Sequence, residues 1–358
     1  MGQYKSPLHK MVSTTPTVLW NDSCSQEELR YAIEHGAVGA TANPVIVGTV
    51  LRQEMHLWKD RLQALVSEMP TATEDDIAWQ ITEEISKAGA ELLLPAFKAS
   101  NGRNGRLSMQ TDPRFYRDSQ AIVEQAIHFA CIAPNIIVKI PVTEAGVAAI
   151  EEATYRGVSI NATVSFTVPQ TIAVAEAVER GLKRREAEGR DISTMGSVCT
   201  IMVGRLDDWL KVVVEKEGLV VAPGCLEWAG VAAMKKAYQI YQERGYRLRL
   251  LSAAFRNHMH WSEFIGGDIV ISPPHQWQVR LNASDIDAVP RIDNPVPPDI
   301  LEQLHTLDEF RKAYEVDGLA VADFDEYGAT RRTLRTFIAG LRELTASIRD
   351  VMLPDPDK

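Results

Sequence analysis

The sequence predicts a parallel (β/α)8 TIM barrel followed by a C-terminal helical extension, and three observations support this fold class. Strand-like and helix-like segments alternate about eight times before residue 275. Such alternation is typical of a parallel sheet, and eight units are enough to close the sheet into a barrel. No glycine-rich phosphate loop follows a strand, as it usually does in the competing doubly wound open sheet. The composition, 45% hydrophobic and 24% charged, supplies a sizeable core.

Each predicted strand is a short run rich in apolar and β-branched residues. The strands are expected at residues 17–22, 37–43, 106–112, 136–143, 158–166, 198–204, 247–254 and 268–272. Helical patterns lie between them, at residues 26–35, 44–69, 74–97, 113–132 and 144–155. One long helix then follows the fifth strand up to about residue 187, and two helices follow the sixth strand before residue 245. Gly36 ends the first of these helices, and the Gly/Asn cluster at 100–105 is a loop. The residues before 17 are interpreted as a polar arm.

The character of the sequence changes near residue 290. The proline-rich segment 293–298 is a stiff connector, and helical stretches follow near residues 299–315 and 324–352. We therefore predict a barrel over residues 1–285 and a helical extension over residues 286–358 that packs on it.

Charge and cysteine usage exclude several classes of function. The net charge of -10 and the isoelectric point near 5.4 argue against a non-specific binder of nucleic acid or anionic membranes. No signal-peptide core and no apolar run of about 18 residues is present, so we expect a soluble cytoplasmic protein. The four cysteines are widely spaced, which favours free thiols, and the histidines form no metal-ligand pattern. They are Cys24, Cys131, Cys199 and Cys225.

The fourth predicted strand carries a lysine in an otherwise apolar run. Alternation places Lys139 on the same face as Ile137 and Pro141, while Val138 and Ile140 point the other way. A buried amine must be paired, shifted towards its neutral form, or used in chemistry. Pro141 cannot donate a ladder hydrogen bond, so we expect the strand to end just past Lys139, near a strand mouth.

Polar residues gather where the other strands end, which is where barrel enzymes hold their chemistry. On the fifth strand, alternation gives one polar face and one apolar face, and the polar face is expected to point into the barrel. The same parity selects polar residues on the second, third and sixth strands. One carboxylate ends the first strand, and one arginine follows each of the sixth and seventh strands. The predicted set around Lys139 is Asp22, Thr41, Asn43, Ser108, Gln110, Asn161, Thr163, Ser165, Thr200, Met202, Arg205 and Arg256.

This set suggests chemistry on a ketone. A desolvated lysine has a larger neutral fraction and can form a Schiff base, whose protonated nitrogen draws electrons from a C–C bond that breaks. Asp22 would take the proton from the hydroxyl beside that bond and return it in the reverse step. Thr163 would hold a water that relays protons during imine formation.

The remaining polar residues suggest a phosphorylated sugar fragment as the ligand. Asn43, Asn161 and Thr200 would hydrogen-bond its hydroxyl groups. Arg205 and Arg256 suit a phosphate group, which matches guanidinium geometry.

Each of these residues also has an ordinary structural interpretation. Lys139 could reach solvent or pair with an acid, and Asp22 could cap a helix. Asn43 before a proline could be a turn residue, and the two arginines could form surface ion pairs. The residues expected to serve only for packing or helix surface are His258, His260 and Trp261.

As a set, the motifs resemble those of the transaldolases, in the same order and spacing over about residues 15–275. The motifs are Leu19-Trp20-Asn21-Asp22, Gly39-Ala40-Thr41-Ala42-Asn43-Pro44, Val138-Lys139-Ile140-Pro141, Asn161-Ala162-Thr163, Val203-Gly204-Arg205 and Ala254-Phe255-Arg256-Asn257. The resemblance implies a class I barrel enzyme of carbohydrate metabolism, within the pentose phosphate pathway, that needs no metal or other cofactor. It implies transfer of a dihydroxyacetone unit from a ketose phosphate to an aldose phosphate, with Lys139 as the Schiff-base residue.

Four positions depart from the transaldolase pattern. Gln110 stands where transaldolases carry a glutamate, whereas the related fructose 6-phosphate aldolases also carry a glutamine there. Met202 matches neither the transaldolases nor these aldolases. Ala254 replaces a serine that helps to hold phosphate, and Thr200 replaces another serine. Proton relay through Gln110 must therefore be passive, and the phosphate site has one hydroxyl fewer.

Two rival functions stay open at this point. One is an aldolase that releases free dihydroxyacetone, which Gln110 suggests. Either the transaldolase or this aldolase could act on a substrate without a terminal phosphate, which Ala254 suggests. The other is a barrel without catalysis that binds sugar phosphates, which the retained Lys139, Asp22 and Thr163 argue against. The expected partners are sugar phosphates, with no nucleic acid and no membrane, and a homo-oligomer is possible.

Overall fold

The computed structural model describes residues 4–357 and confirms the predicted barrel. Eight parallel strands close in chain order, and the last strand pairs with the first. The strands are β1 (Val18–Asn21), β2 (Ala37–Thr41), β3 (Arg106–Gln110), β4 (Ile136–Pro141), β5 (Ile160–Thr163), β6 (Val198–Ile201), β7 (Arg249–Ser252) and β8 (Val270–Ile271).

Helices connect the strands on the outside of the barrel. Those in the barrel region are α1 (Pro7–Thr14), α2 (Gln26–Glu34), α3 (Pro44–Gln53), α4 (Met55–Glu68), α5 (Glu74–Ala99), α6 (Ser119–Ala130), α7 (Glu144–Tyr155), α8 (Val168–Ala187), α9 (Val203–Glu217), α10 (Ala229–Arg244), α11 (Met259–Ser262) and α12 (His275–Asn282). The C-terminal segment adds α13 (Pro298–His305), α14 (Asp308–Tyr314) and α15 (Gly328–Met352). Short 3-10 turns lie at Pro113–Phe115, Leu226–Trp228 and Val321–Asp323.

Several predicted helix boundaries were wrong. The predicted polar arm contains α1, which Ser6 caps and which buries Leu8 and Met11. The predicted helix at 44–69 divides at Glu54, whose carboxylate turns inward to accept hydrogen bonds from Ser25 and Trp58. The predicted helices at 113–132 and 299–315 are likewise each divided into two shorter segments.

Some predicted strands were too long. The fifth strand was expected to reach residue 166, but Val164 has φ of 54°, and this left-handed backbone ends the alternation after Thr163. The predicted sixth strand at 198–204 ends at Ile201, because α9 begins at Val203. The lysine strand runs two residues beyond Lys139, to Pro141, since Pro141 still pairs in register with Thr163.

The core has one layer inside the barrel and a larger one between strands and helices. Inside, the apolar side chains are Trp20, Ile137, Val198, Leu251, Ala253 and Val270. Outside, Val138 and Ile140 of the lysine strand pack with Ile160 and Ala162 against the helices. The predicted parity of strands β4 and β5 therefore holds over residues 137–140 and 160–162.

Helix α15 lies against α3, α5 and α9. Its apolar stripe is Leu334, Phe337, Leu341, Leu344 and Ile348, spaced three and four residues apart as expected for one helix face. The helix thereby covers residues near the carboxyl ends of the strands. The division of the chain at residue 285 stays a prediction.

Among the described residues, no helix is both long enough and apolar enough to cross a membrane. All four cysteines are free thiols, and Cys131 alone of the four is exposed.

Candidate active site

The strand register brings three of the predicted site residues into one row. Lys139 on β4 pairs with Gln110 on β3 and with Asn161 on β5. Paired residues of neighbouring parallel strands point to the same face of the sheet. Since Lys139 shares the face of Ile137, which lies in the core inside the barrel, all three side chains point inward.

The amine of Lys139 is almost completely enclosed, with 3% of the residue exposed. Burial lowers the pKa of this amine, and the positive charge of Arg205 lowers it further, while the carboxylate of Asp22 acts in the opposite direction. The amine donates no hydrogen bond to another side chain or carbonyl group within residues 4–357. The site therefore holds a lysine whose neutral fraction is larger than that of an exposed lysine.

Asp22 lies directly after β1 and faces the same interior. The hydroxyl of Thr41 donates a short hydrogen bond to its Oδ1 atom and lies 3.3 Å from the Ser272 hydroxyl. Burial raises the pKa of Asp22, against the lowering effects of Lys139 and of the Thr41 hydrogen bond. Asp22 is thus a carboxylate with increased affinity for a proton, held within electrostatic reach of the amine.

A hydrogen-bond chain crosses the barrel at the level of Lys139. The amide nitrogen of Asn161 donates to Ser108 Oγ over 2.9 Å, and the hydroxyl of Thr200 donates to Asn161 Oδ1 over 2.7 Å. All three side chains are buried. This chain fixes the orientation of the Asn161 amide beside the amine.

Three other predicted residues have fewer polar partners. The hydroxyl of Thr163 lies 3.9 Å from Met202 Sδ, a weak acceptor. The Oε1 atom of Gln110 is buried and has no hydrogen-bond partner among the described residues. The Oγ atom of Ser165 is also buried and has no hydrogen-bond partner among the described residues. Buried polar atoms without a partner are uncommon, so Gln110 and Thr163 retain bonding capacity for a substrate or a water.

Asn43 caps helix α3. Its Oδ1 atom accepts hydrogen bonds from the backbone N–H groups of Val45 and Ile46, which is the ordinary cap interaction. The side-chain oxygen is therefore occupied, and only the NH2 group is left for a ligand.

The two predicted arginines line a cleft of about 530 Å³ beside the barrel mouth. Arg205 lies in the first turn of α9, and Arg256 lies in the loop after β7, so neither follows its strand immediately as expected. Arg256 forms a two-pronged ion pair with Asp208, with a shortest contact of 2.8 Å. Arg205 contacts the Thr333 hydroxyl and stacks over Phe337, both on α15.

The loop that carries Arg256 approaches α9 very closely. A Cβ atom on Gly204 would lie 2.0 Å from the carbonyl oxygen of Ala254, so only glycine fits there. Ala254 itself has φ of 64°, a left-handed conformation that a non-glycine residue adopts at some cost. At this position the chain offers a methyl group and no hydroxyl.

A buried pair that the sequence analysis missed joins the same two elements. His260 Nε2 lies 2.9 Å from Asp207 Oδ2, and the backbone N–H of Arg256 donates to His260 Nδ1 over 3.0 Å. Neither side chain is exposed. Because Nδ1 accepts a hydrogen bond, the ring proton lies on Nε2 and faces Asp207. The expectation that His260 serves only for packing was incomplete, since it ties the Arg256 loop to α9.

Arg332 and Arg335 of α15 also line the cleft and were not among the predicted residues. They lie in the C-terminal segment, where arginine on a helix is usually part of a solvated face. Their spacing of three residues was the one available signal that both point to the same side.

Together these features define a (β/α)8 barrel with a buried amine and a carboxylate at the carboxyl ends of its strands. Comparison with known proteins then gives the family. The model described as Transaldolase/Fructose-6-phosphate aldolase matches residues 19–339, and the chain belongs to this family. The match extends past residue 285 into α15.

Similar curated proteins are transaldolases by name. Transaldolase 1 of Streptomyces avermitilis is 31% identical over 233 residues, which cover 63% of this chain and 61% of that protein. The transaldolases of Mycobacterium marinum and Mycolicibacterium smegmatis are each 30% identical and are matched over 67% of this chain and over 65% and 66% of their own lengths. The chain therefore matches slightly less than two thirds of each of these relatives.

Proposed function

We propose that the protein is a transaldolase that transfers a dihydroxyacetone unit from a ketose phosphate to an aldose phosphate through a Schiff base on Lys139. The observation that carries this proposal is the enclosed amine of Lys139, in register with Gln110 and Asn161 and beside Asp22. Membership of the family supports it.

The first step is attack of the neutral Lys139 nitrogen on the ketone carbon of the donor. A C–N bond forms, the carbonyl oxygen takes up a proton, and loss of water then gives a protonated imine. A water held by Thr163 would carry these protons, since the Thr163 hydroxyl has only a sulfur partner. Gln110 can orient such a water through its free oxygen, but it cannot exchange a proton with it.

The second step breaks the C–C bond next to the imine. Asp22 removes the proton of the hydroxyl on the far carbon, the C–C electron pair moves to the iminium nitrogen, and an aldehyde leaves. The lysine then carries an enamine of dihydroxyacetone. A carboxylate with a raised pKa suits this step, because it takes the proton readily and holds it for return.

The remaining steps reverse the first two with a new aldehyde. The enamine carbon attacks the acceptor carbonyl, Asp22 returns its proton to the new alkoxide, and water hydrolyses the imine. The NH2 group of Asn43, the Asn161–Thr200 pair and the apolar surface of Met202 would contact the dihydroxyacetone fragment. Arg205 and Arg256 would hold the terminal phosphate.

The alternative is an aldolase that protonates the enamine and releases free dihydroxyacetone. Gln110 favours it, because the related fructose 6-phosphate aldolases also carry glutamine at this position. In that case water, and not an acceptor aldehyde, ends the cycle.

The test is whether turnover of fructose 6-phosphate depends on an acceptor. We expect glyceraldehyde 3-phosphate to form rapidly with erythrose 4-phosphate present and at least roughly 100-fold more slowly without it. A factor of roughly 100 is the lower end of what a positioned general acid or base contributes to a rate. Equal rates with and without the acceptor, together with free dihydroxyacetone, would instead establish the aldolase. The control is Lys139→Ala, which should be inactive in both assays.

The proposed reaction would place the protein in the pentose phosphate pathway of the cytoplasm. We also propose that residues 286–358 act with the barrel as one catalytic unit, because α15 contacts Arg205 directly.

A further inference from the structure

A second cleft, here called the amino-end cleft, lies at the end of the barrel where the strands begin. Its volume is about 360 Å³, and it is lined by residues at the start of β6, β7 and β8, namely Ser197, Arg249 and Asp268. Because all eight strands are parallel, this end is opposite to the one that holds Lys139. The amino-end cleft is therefore separate from the arginine cleft at the mouth, which is lined by Arg205, Arg256, Arg332 and Arg335.

Two buried arginines point into the barrel at this amino end. Arg106 begins β3 and Arg249 begins β7, and 2% and 8% of the two residues are exposed. Alternation along β7 puts Arg249 on the same inward face as Leu251, which lies in the core inside the barrel. Burial, and after it the charge of Arg249, lowers the pKa of Arg106 to about 10. Burial likewise lowers the pKa of Arg249 to about 10, so both positive charges are poorly solvated.

The two guanidinium groups donate hydrogen bonds to uncharged acceptors. Arg106 donates to one carbonyl oxygen of the loop 100–105 and to the carbonyl oxygen of Thr194. Arg249 donates through Nη2 to two oxygens of the same loop. These bonds fix the positions of both groups, but they supply no negative charge. Buried charges without a partner of opposite sign are costly, so an anion beside them would stabilise the protein.

One nitrogen of Arg249 has no acceptor for its protons. The Nη1 atom is buried and has no hydrogen-bond partner among residues 4–357. Asp268 Oδ1 lies 3.9 Å away, too far for a hydrogen bond, and the carboxylate of Asp268 is bound by Arg103 over 2.5 Å. Buried donors without an acceptor are uncommon in proteins. The Nη1 atom therefore retains bonding capacity for an acceptor that enters the amino-end cleft.

The lining of the amino-end cleft offers further donors. The hydroxyl oxygens of Ser197 and Tyr238 each accept a hydrogen bond from a backbone N–H, so the hydroxyl protons are available to a ligand. Gly196 keeps the cleft open towards Arg106, because a Cβ atom there would lie 3.0 Å from Arg106 Nε. Arg247 also lines the cleft, but it pairs with two glutamates and adds little net charge.

We propose that the amino-end cleft is a binding site for a small tetrahedral oxyanion such as inorganic phosphate. Arg249, Ser197 and Tyr238 would bind the anion directly, and the charge of Arg106 would attract it, since guanidinium and hydroxyl donors suit phosphate oxygens. A bound anion would neutralise the buried arginines and stabilise the folded barrel. The site is remote from Lys139 and does not depend on the proposed reaction.

The test is isothermal titration with inorganic phosphate in a phosphate-free buffer of low ionic strength. Because the arginine cleft at the mouth also attracts anions, every protein compared carries Arg256→Ala, which weakens binding there. Adding Arg249→Met removes the free donor and its charge. We expect phosphate affinity to fall at least about 10-fold, the usual size of a lost charge-assisted hydrogen bond. Unchanged affinity in this variant, with its fold verified by circular dichroism, overturns the proposal.

Gln242→Glu decides the question if Arg249→Met does not fold. Gln242 is exposed at the rim of the amino-end cleft, and its side chain forms no hydrogen bond within the described residues, so the added charge leaves the core intact. A negative charge within about 8 Å should weaken binding of a doubly charged phosphate about 5-fold.

The matched control is Gln63→Glu. Gln63 is also exposed and lies on α4, which contributes no residue to the amino-end cleft. The same change of charge there should alter phosphate affinity less than about 2-fold. Equal affinities for Gln242→Glu and Gln63→Glu overturn the proposal, and a loss confined to Gln242→Glu supports it.

Discussion

Lys139 and Asp22 are two ionisable groups inside the barrel, and the charge of each acts on the pKa of the other. Burial acts on both in the direction of the neutral form, lowering the pKa of the amine and raising that of the carboxyl. Their mutual attraction acts in the opposite direction on both. In the proposed reaction imine formation needs a neutral amine and C–C cleavage needs a carboxylate, so the balance between burial and attraction would set the pH range in which both are available.

This balance predicts the effect of Asp22→Asn on imine formation. The rate of imine formation should rise with pH as Lys139 loses its proton. Removing the carboxylate removes an interaction that favours the ammonium form, so in the variant this rise should move to lower pH. Overall turnover should nevertheless fall about 10²- to 10⁴-fold, because the acid–base group is gone. The measurement is the rate of borohydride-trapped adduct with fructose 6-phosphate as a function of pH.

Asp208→Asn serves as the control for that experiment. Asp208 lies in the arginine cleft, and its charge is taken up by Arg256. Its removal should leave the pH profile of adduct formation in place. A profile for Asp22→Asn that coincides with the wild type, or moves to higher pH, would show that Asp22 does not act on the amine.

At the scale of elements, the arginine cleft depends on how α9 meets the loop after β7. Gly204 allows the contact, and the buried Asp207–His260 pair fixes it. Asp207 also accepts a hydrogen bond from the backbone N–H of Gly230 over 2.9 Å, which anchors α10 to the same place. Three elements are therefore held together by one carboxylate that has no exposure to water.

Asp207→Asn should disturb this junction with almost no change in volume. One amide oxygen cannot serve both the Gly230 N–H and the His260 ring N–H, so one bond is lost or the ring proton moves to Nδ1. In the second case His260 can no longer accept from Arg256. We expect KM for fructose 6-phosphate to rise about 5- to 150-fold with little change in kcat, the size of one unmet buried hydrogen bond of about 1–3 kcal/mol.

The matched control is His258→Ala, two residues from His260 but exposed, with a side chain that within residues 4–357 is hydrogen-bonded to Ser262 alone. It should leave KM within about 2-fold of the wild type. A large change in KM for the control, or none for Asp207→Asn, would mean that the pair does not position the Arg256 loop.

At the scale of the whole molecule, the distribution of charge matters more than its sum. A protein with a net charge of -10 should repel a sugar phosphate, yet the cleft beside its mouth is positive. The barrel supplies two of the four arginines and the C-terminal helix supplies the other two. The two parts of the chain thus share one surface.

Salt should therefore weaken the use of phosphorylated substrates only. Raising NaCl from about 0.02 to 0.2 M shortens the screening length to below about 10 Å. We expect kcat/KM for fructose 6-phosphate to fall several-fold over this range, while the value for fructose changes little. Equal sensitivity of both sugars would contradict an electrostatic role for the cleft.

Periodicity and parity were enough to predict the barrel and the inward-facing row of the candidate site. The apolar run around Lys139 gave its strand and its face, and the register of a closed parallel sheet then places Gln110 and Asn161 beside it. Such regularities depend on neighbours in sequence and on the pleat of the strand, which the sequence shows directly.

Other features depend on packing between distant segments and could not be predicted. Val164 and Ala254 adopt left-handed conformations that a non-glycine residue does not signal. His260 finds its partner on α9, 53 residues earlier in the chain. In the sequence, Arg332 looks like an ordinary arginine on a solvated helix face. Only the packing of α15 on the barrel shows that it lines the cleft.

Borohydride reduction would show whether Lys139 forms a Schiff base with a sugar. The protein is mixed with fructose 6-phosphate, reduced, and examined by intact and peptide mass spectrometry beside Lys139→Ala. We expect a stable adduct with the mass of a reduced dihydroxyacetone or fructose 6-phosphate imine, located on Lys139 and absent from the variant. Active, folded protein that forms no adduct on Lys139 with this sugar or with a panel of other ketoses would contradict the proposed Schiff base.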